Sequence, residues 1–272
     1  MIANARMYSV APGAADAWKA LFAGVGARAG LSLDLLEYPA PSPLSELWAR
    51  PDKAAVFMCG LPYSRSENGP EIVVAPVPSA AGFDGGPRYW SDLVVRADSA
   101  FETLSDTFGG RLALTVRDSQ SGYAAPLRLL SAYEWAGPLF EEVIPPRITP
   151  LGAVTAVADG LADVAPVDAY AFRLLQRFQP ELTRQVRVIA RTDSRPIPLL
   201  VASPPRSEQL AAAFLTAHQD AALVPLMADL LLDRFVQPAP SAYAPLAAEY
   251  DAVLAFWRSH TLAGRIPPDL VP

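Results

Sequence analysis

The chain has little of the chemistry that most enzymes and nucleic-acid-binding proteins need. Its 272 residues include one cysteine and two histidines, and its formal net charge is −6 at pH 7. The single Cys59 excludes an internal disulfide and a cysteine metal cluster. Neither His218 nor His260 belongs to a metal-binding spacing such as H-E-x-x-H. The acidic balance disfavours a nucleic-acid partner, because binding to phosphate backbones rests on basic side chains.

Several sequence motifs are also missing. The chain has no G-x-x-x-x-G-K-[ST] loop and no G-x-G-x-x-G fingerprint, so nothing supports nucleotide binding. The most apolar late stretch, 211–232, is interrupted by polar residues and offers no unbroken membrane span. Residues 1–6 lack the apolar core of a signal peptide and run into a predicted first strand at 6–10. A cytoplasmic location and a processed form of a secreted protein therefore both remain open.

What the chain has in quantity is apolar sequence. Hydrophobic residues make up 51% of the chain and charged residues 18%, which is enough for one large core or two ordinary ones. Strand-like and helix-like segments alternate, as in the predicted helix 14–30 and the predicted strand 54–58. This alternation is typical of an α/β fold with parallel strands.

An extended segment at 89–96 and a polar, proline-containing passage at 192–198 interrupt the alternation. We interpret them as two crossovers, so that a second α/β domain is inserted in the first and a ligand cleft lies between them. The predicted bounds are 1–88 plus 196–272 for lobe 1, 89–195 for lobe 2, and hinge crossovers near 87–92 and 192–198. Residues 199–202 then rejoin the first sheet, and 221–235 is one of the terminal helices. The alternative is a single doubly wound domain.

One stretch, 111–123, organises the rest of the sequence. Residues 111–116 are predicted to form a strand, 118–122 a polar turn, and 124–130 a helix. The first turn of a helix has free N–H groups and the positive end of the dipole, which together favour an anion.

Within this turn Ser119 and Ser121 add hydroxyl donors, and Gly122 permits close approach of a ligand to the backbone. The alternative is that Asp118 or Ser119 only caps the helix. The turn is not a nucleophile elbow, because the glycine which that motif needs is replaced by Ser119.

Two further strand ends carry candidate contacts. Cys59–Tyr63 follows the predicted strand 54–58, and ligands in open α/β sheets lie beyond the carboxyl ends of strands. Tyr63 can stack on a ligand or donate to it, whereas Cys59 is interpreted as a small buried side chain rather than a nucleophile. Asp168 follows a strand at 164–167 and either caps the next helix or accepts from a ligand. Nothing pairs it with Asp163 as an acid and a base.

Four stretches together give the chain a family resemblance: Cys59–Pro62, Tyr89–Ser91 with Val94–Asp98, Asp118–Tyr123, and Ala156–Asp168. In this order they are similar to the phosphate/phosphite/phosphonate-type substrate-binding proteins of ABC transporters. The resemblance covers nearly the whole chain. It implies the two-lobed type 2 periplasmic-binding fold, a periplasmic location, an ABC permease as partner, and no metal or cofactor.

The resemblance also implies ligand contacts at Tyr89, 119–123, Thr149 and Asp168, to which Tyr8 and Tyr63 are added. The candidate ligand-binding residues are Tyr8, Tyr63, Tyr89, Ser119, Gln120, Ser121, Gly122, Tyr123, Thr149 and Asp168. Members of the family often carry Ser-His where this chain has Thr149-Pro150, so a basic side chain is missing at that place. Phosphate, phosphonate, sulfonate, carboxylate and a neutral heterocycle all remain open as ligands.

The function indicated is a non-enzymatic solute receptor that delivers a small anion to a membrane permease. A cytoplasmic enzyme on the same fold and a soluble ligand sensor are the alternatives. The enzyme would need a reactive group in the cleft, and Cys59 alone is positioned to compete for that role.

Overall fold

Contacts between Cα atoms divide the chain into two units. The structure, a computed structural model, describes residues 1–66 and 69–272. Unit 1 comprises Met1–Tyr89 and Pro196–Pro245, and unit 2 comprises Trp90–Arg195 and Leu246–Pro272. The chain therefore passes from one unit to the other three times, after Tyr89, Arg195 and Pro245. The ligand cleft expected between two lobes stays a prediction.

The elements follow in chain order. The first pass through unit 1 contains β1 Ile2–Asn4, α1 Pro12–Arg28, β2 Asp34–Leu35, α2 Leu44–Ala49, β3 Lys53–Met58, α3 Gly60–Ser64, β4 Glu71–Pro78 and β5 Arg88–Tyr89. The first pass through unit 2 contains β6 Ser91–Arg96, β7 Arg111–Ala113, a π-helical turn Gln120–Ala124, α4 Ala125–Leu130, β8 Phe140–Ile144, α5 Pro150–Ala158, β9 Ala165–Asp168, α6 Ala169–Phe178, α7 Pro180–Thr183 and β10 Val186–Arg191. The remaining elements are β11 Arg195–Pro196, β12 Leu199–Ala202, α8 Glu208–Leu215, α9 Val224–Asp229, β13 Leu232–Val236, α10 Pro245–Arg258 and β14 Ala263–Arg265.

Unit 1 is built on one mixed sheet with the strand order β13-β4-β12-β3-β1-β2. β1 runs parallel to β2 and β3, whereas β12 is antiparallel to both β3 and β4. All six residues of β3 are buried, as its apolar sequence predicts for a central strand. The prediction that 199–202 rejoins the first sheet is confirmed by the position of β12 between β3 and β4.

Unit 2 contains the strand sets β10-β6-β9 and β14-β8-β7. A parallel bridge between Leu112 and Val164 joins the second set to the first, beside β9. β7 is parallel to β8, and β8 is parallel to β14. β7, β8 and β9 thus run in one direction, and their carboxyl ends lie at the same edge of the sheet.

The C-terminal segment 246–272 belongs with unit 2, whereas the sequence predicts it in lobe 1. The reason lies in its contacts. The Trp257 indole N–H donates to the Leu127 carbonyl at 3.1 Å, and the Leu270 carbonyl accepts from the Tyr123 hydroxyl at 3.1 Å. β14 also pairs with β8. Such long-range partners leave no local pattern in a helical sequence.

Two predicted elements of unit 1 are wrong. Residues 6–10 are not a strand, because the amides of Tyr8 and Ser9 both donate back to the Ala5 carbonyl and form a turn. The segment 221–235 is not one helix. α9 ends before Leu231, whose φ of 53° lies in the left-handed region, and the chain continues as β13 against β4.

Among the residues that the structure describes, no helix combines the length and the apolar character that crossing a bilayer requires.

Candidate functional site

The candidate site is the sheet edge of unit 2 where β7, β8 and β9 end. Each of these strands is followed by a helix start: the π-helical turn and α4 after β7, α5 after β8, and α6 after β9. The loops are tied together, because the Arg147 amide, after β8, donates to the Leu114 carbonyl, after β7, at 2.9 Å. Three positive helix ends at one edge favour an anionic ligand.

Residues 119–123, which we call the serine turn, form the centre of this edge. The Ala124 amide donates to the Ser119 carbonyl five residues back at 3.0 Å, so the turn is wider than an α-helical one. The Ser119 hydroxyl accepts from the Gly122 amide at 2.9 Å. Ser119 therefore caps the turn, which is one of the two roles its sequence position left open, and this cap occupies the Gly122 amide.

Gly122 is required by its surroundings. An added Cβ would lie 1.9 Å from Oγ1 of Thr115 and 2.8 Å from its Cβ. The Thr115 amide also donates to the Gly122 carbonyl at 3.0 Å. The turn is therefore packed directly on the chain that follows β7, and only a residue without a side chain leaves room for that contact.

Ser121 keeps its hydroxyl and its amide available for a ligand. Its side chain is half-buried, and neither its hydroxyl nor its amide bonds to any of the described residues. Its carbonyl accepts from the Ser91 hydroxyl at 2.7 Å. Ser91 is fully buried and pairs in register with Asp168 on β9. The structure thus brings Ser121 and Asp168 together around Ser91.

Thr149 and Asp168 are N-caps of the two neighbouring helices. The Thr149 hydroxyl accepts from the Gly152 amide at 3.0 Å at the start of α5, and the Asp168 carboxylate accepts from the Ala171 amide at 3.0 Å at the start of α6. The Thr149 hydroxyl still has its proton to donate. Asp168 is only 6% exposed, so its carboxylate contributes a buried negative charge to this edge.

Arg147 supplies a positive charge that is not among the contacts predicted from the sequence. It lies two residues before Thr149, in the loop between β8 and α5. Its Nε is buried without a hydrogen-bond partner, and its guanidinium forms no ion pair with any described residue. A buried donor of this kind calls for an acceptor. Arg147 thus places a basic residue two positions before Thr149, where the family resemblance finds a basic side chain missing, and it is the one charged residue of the loop 145–149.

The Tyr123 side chain of the serine turn has a structural role, whereas ligand contact by Gln120 stays a prediction. Tyr123 is fully buried and donates to the Leu270 carbonyl, and burial raises the pKa of its hydroxyl, so the phenol stays neutral. Its side chain therefore belongs to the core, and its backbone amide is the part left as a candidate contact. Gln120 is 4% exposed.

The remaining tyrosines of the predicted site lie in unit 1. Tyr8 is fully buried, with its ring 5.0 Å from that of Phe57, and Tyr89 is 1% exposed. Tyr63 is half-buried in α3 with its ring 5.4 Å from that of Tyr243, and burial raises the pKa of the Tyr63 hydroxyl. Ligand contact by these three residues stays a prediction.

Cys59 and Asp163, which the sequence suggests as possible reactive groups, lie outside the serine turn. Cys59 is 4% exposed, as predicted for a small buried side chain. The Asp163 carboxylate accepts from the Arg111 amide at 2.7 Å and lies 3.3 Å from the Arg111 Nε. Asp163 therefore anchors the start of β7, at the opposite end of that strand from the serine turn.

Solved structures show where this architecture occurs elsewhere. A binding-protein component of an ABC phosphonate transporter from Pseudomonas aeruginosa superposes with a TM-score of 0.74 at 20% identity, covering 94% of this chain and 88% of that one. A protein from Prochlorococcus marinus in complex with methylphosphonate superposes with a TM-score of 0.72 at 13% identity, covering 88% of this chain and 93% of that one. At these identities the likeness shows the fold, which is the two-lobed fold of periplasmic binding proteins.

One curated relative shares part of the sequence. The membrane-bound lytic murein transglycosylase F of Erwinia tasmaniensis is 30% identical over 135 residues, which is 48% of this chain. This chain spans about a quarter of the length of that relative, 24%.

The family assignment rests on a match to a whole-family profile. Residues 54–243 match the profile of the phosphonate periplasmic substrate-binding proteins of ABC transporters. The matched range contains the serine turn, Arg147, Thr149 and Asp168. The chain belongs to the phosphonate-type periplasmic substrate-binding proteins of ABC transporters.

Proposed function

We propose that this protein binds a small oxyanion of the phosphonate or phosphate type at the sheet edge of unit 2 and delivers it to an ABC permease from the periplasm, without chemical conversion. The observation that carries the proposal is the serine turn. Ser121 offers an amide and a hydroxyl that no described residue uses, at an edge where three helices begin. Donors that converge in this way stabilise negative charge through charge-assisted hydrogen bonds.

The charges at this edge favour a ligand with an anionic group at one end and a hydrogen-bond donor at the other. Arg147 and the helix starts favour the anionic group, whereas the buried Asp168 carboxylate repels an anion placed beside it. The phosphonate oxygens would therefore contact Ser121, Thr149 and Arg147. An amine or hydroxyl at the other end of the ligand would contact Asp168.

A binding panel tests the proposal directly. Methylphosphonate, inorganic phosphate, sulfate and acetate are titrated into the purified protein by calorimetry, with thermal unfolding as a second readout. A ligand at about 100 times its Kd adds about 2.7 kcal/mol to the free energy of unfolding, which a melting curve detects. We expect the tetrahedral phosphorus oxyanions to bind more tightly than acetate. Absence of binding by both methylphosphonate and phosphate would remove the proposed ligand class.

Replacement of Ser121 by alanine should weaken oxyanion binding without unfolding the protein. The substitution removes one hydroxyl donor to a charged group, which is worth about 1.5–3 kcal/mol, or roughly ten- to a hundredfold in Kd. Ser131→Ala is the matched control, because the Ser131 hydroxyl donates to the Arg128 carbonyl at 2.8 Å at the other end of α4. Calorimetry on the two variants should show the loss for Ser121→Ala alone. Equal affinities would mean that the Ser121 hydroxyl does not contact the ligand.

Replacement of Arg147 by glutamine should weaken oxyanion binding and reduce its dependence on salt. The expected loss is roughly ten- to a hundredfold in Kd, because a charge-assisted donor is removed. Arg128→Gln is the control, since the Arg128 guanidinium is already engaged 3.0 Å from the Glu249 carboxylate. Titrations at low and high ionic strength measure both effects. If Arg147→Gln binds methylphosphonate with unchanged affinity and salt dependence, Arg147 is outside the site.

A further inference from the structure

The serine turn runs into a proline that cannot complete it. The Ala124 amide donates to the Ser119 carbonyl, and the Ala125 amide donates to the Gln120 carbonyl, each five residues back. The next amide in this series would belong to residue 126, and it would reach the Ser121 carbonyl. Pro126 has no N–H, so the helix itself supplies no donor there.

Ser91 occupies the place of that missing donor. Ser91 is the first residue of β6 and is fully buried, and its hydroxyl donates to the Ser121 carbonyl at 2.7 Å. The neighbouring Gly122 carbonyl, which an ordinary α-helical bond would also connect to residue 126, accepts from the Thr115 amide at 3.0 Å. The carbonyls of Ser121 and Gly122, which the missing amide of residue 126 could have bonded, thus both accept hydrogen bonds from outside the helix. The donor to Ser121 is a side chain.

Ser91 is itself held in place from two sides. Its amide donates to the Thr192 hydroxyl at 2.9 Å, and the Thr192 amide donates to the Ser91 carbonyl at 3.0 Å. On the other side Ser91 pairs in register with Asp168. The backbone of Ser91 is therefore held in place, and the hydrogen bond from its hydroxyl holds the backbone of Ser121.

We propose that Ser91 is a positioning residue for the ligand: its hydroxyl replaces the amide that Pro126 lacks and holds Ser121 so that the Ser121 amide and hydroxyl face the bound oxyanion. This inference rests on the proposed function for its ligand. It assigns to Ser91 no contact with the ligand itself. The contribution of Ser91 is to remove the freedom that the serine turn would otherwise have to lose on binding.

The first test is the pair Ser91→Ala and Ser91→Ala/Pro126→Ala. Ser91→Ala should weaken methylphosphonate binding about three- to tenfold in Kd, the range for one neutral hydrogen bond. Pro126→Ala restores an amide that can reach the Ser121 carbonyl, so the double variant should regain most of the affinity. A merely structural loss at Ser91 would not be repaired from residue 126, which lies on a different element.

The control is Thr107→Val. The Thr107 hydroxyl is buried and donates to the Leu104 carbonyl at 2.7 Å, which is the same kind of bond in the same unit. Thr107→Val should lower the melting temperature without changing the Kd for methylphosphonate. Ser91→Cys, which keeps the size of the side chain but donates weakly, replaces Ser91→Ala if the alanine variant does not fold.

A second readout needs no ligand. Hydrogen exchange of the Ala124 and Ala125 amides, followed by NMR, reports the π-helical turn directly. We expect both amides to exchange about tenfold faster in Ser91→Ala and to recover in the double variant, with α5 amides unchanged. If the parent protein binds no oxyanion, the proposed function fails while the exchange data still decide the role of Ser91. Unchanged exchange in Ser91→Ala, or weaker binding that Pro126→Ala does not repair, overturns the inference.

Discussion

Replacement of Gly122 by alanine is expected to abolish oxyanion binding and to lower the free energy of unfolding by about 3 kcal/mol. The new Cβ would lie 1.9 Å from Oγ1, 2.7 Å from Cγ2 and 2.8 Å from Cβ of Thr115. Since Thr115 is buried and its amide donates to the Gly122 carbonyl, neither partner can move without breaking the bond between them. The serine turn must therefore be displaced, and Ser121 with it. Calorimetry with methylphosphonate and urea unfolding measure the two effects.

Two further variants separate this clash from a general intolerance of alanine. Gly152→Ala places its Cβ no closer than 3.4 Å to any neighbour, and it should leave stability unchanged or slightly higher. The three atoms nearest to the new Cβ all belong to the Thr115 side chain, so Thr115→Gly combined with Gly122→Ala removes them. We expect the combination to recover part of the lost stability. A Gly122→Ala protein that binds methylphosphonate normally would show that the serine turn tolerates displacement and is not the site.

Replacement of Asp92 by alanine should produce the largest loss of stability, about 3–5 kcal/mol. Asp92 is completely buried beside Ser91, and its carboxylate lies 3.0 Å from the Arg191 Nε and 3.3 Å from Nη2 of Arg173. It also accepts from the Trp90 indole N–H at 2.8 Å. Without the carboxylate, the Arg173 guanidinium, whose side chain is only 15% exposed, would keep a buried charge with this partner gone. Urea unfolding of the variant measures the loss.

Asp98→Ala provides the comparison, two residues after the end of the same strand. The Asp98 carboxylate lies 2.6 Å from Nη2 of Arg96, with the two side chains 69% and 46% exposed. An exposed pair contributes less than about 1 kcal/mol, so this variant should unfold nearly like the parent. Asp92→Asn keeps an acceptor for the Trp90 indole and should fall between the other two. Similar losses for Asp92→Ala and Asp98→Ala would contradict the argument that burial makes the difference.

The sequence located the serine turn but not its supports. The succession of an apolar strand, a hydroxyl-rich turn and an apolar helix is local, and a local pattern is sufficient to identify such a unit. The same reasoning identified Asp168 at a helix start, whereas Thr149 came from the family resemblance. The supporting roles of Ser91 and Thr192 leave no local pattern, because the partners of Ser91 lie 30 and 101 residues away along the chain. Thr115 follows β7 as a single short polar residue, and such a residue has no distinctive pattern either.

Arg147 and Tyr123 also show that the sequence does not reveal which side chains have distant partners. Arg147 is absent from the predicted contacts, and Tyr123 is included among them. Arg147 stands in a proline-containing loop, and its sequence neighbours do not reveal that its Nε is buried without a partner. Tyr123 is among the ligand contacts that the family resemblance implies. Its hydroxyl is instead fixed by the carbonyl of Leu270, 147 residues away. Which side of a helical turn faces the core is decided by what packs against it, and that partner comes from the C-terminal segment.

The residues alone determined the α/β class, the strand–turn–helix unit at 111–130 and the absence of conventional catalytic motifs, because each of these depends on residue type and short-range periodicity. Tertiary structure decided three other features. It placed segment 246–272 in unit 2, it gathered the ends of β7, β8 and β9 at one edge, and it engaged the Gly122 amide while leaving the Ser121 amide and hydroxyl without a partner among the described residues. The first two depend on hydrogen bonds and packing between residues tens of positions apart, whereas the third depends on which way the local Ser119 cap leaves the turn facing. Side-chain periodicity specifies that a segment has a buried face, whereas the partner on that face is selected by the free energy of the folded chain as a whole.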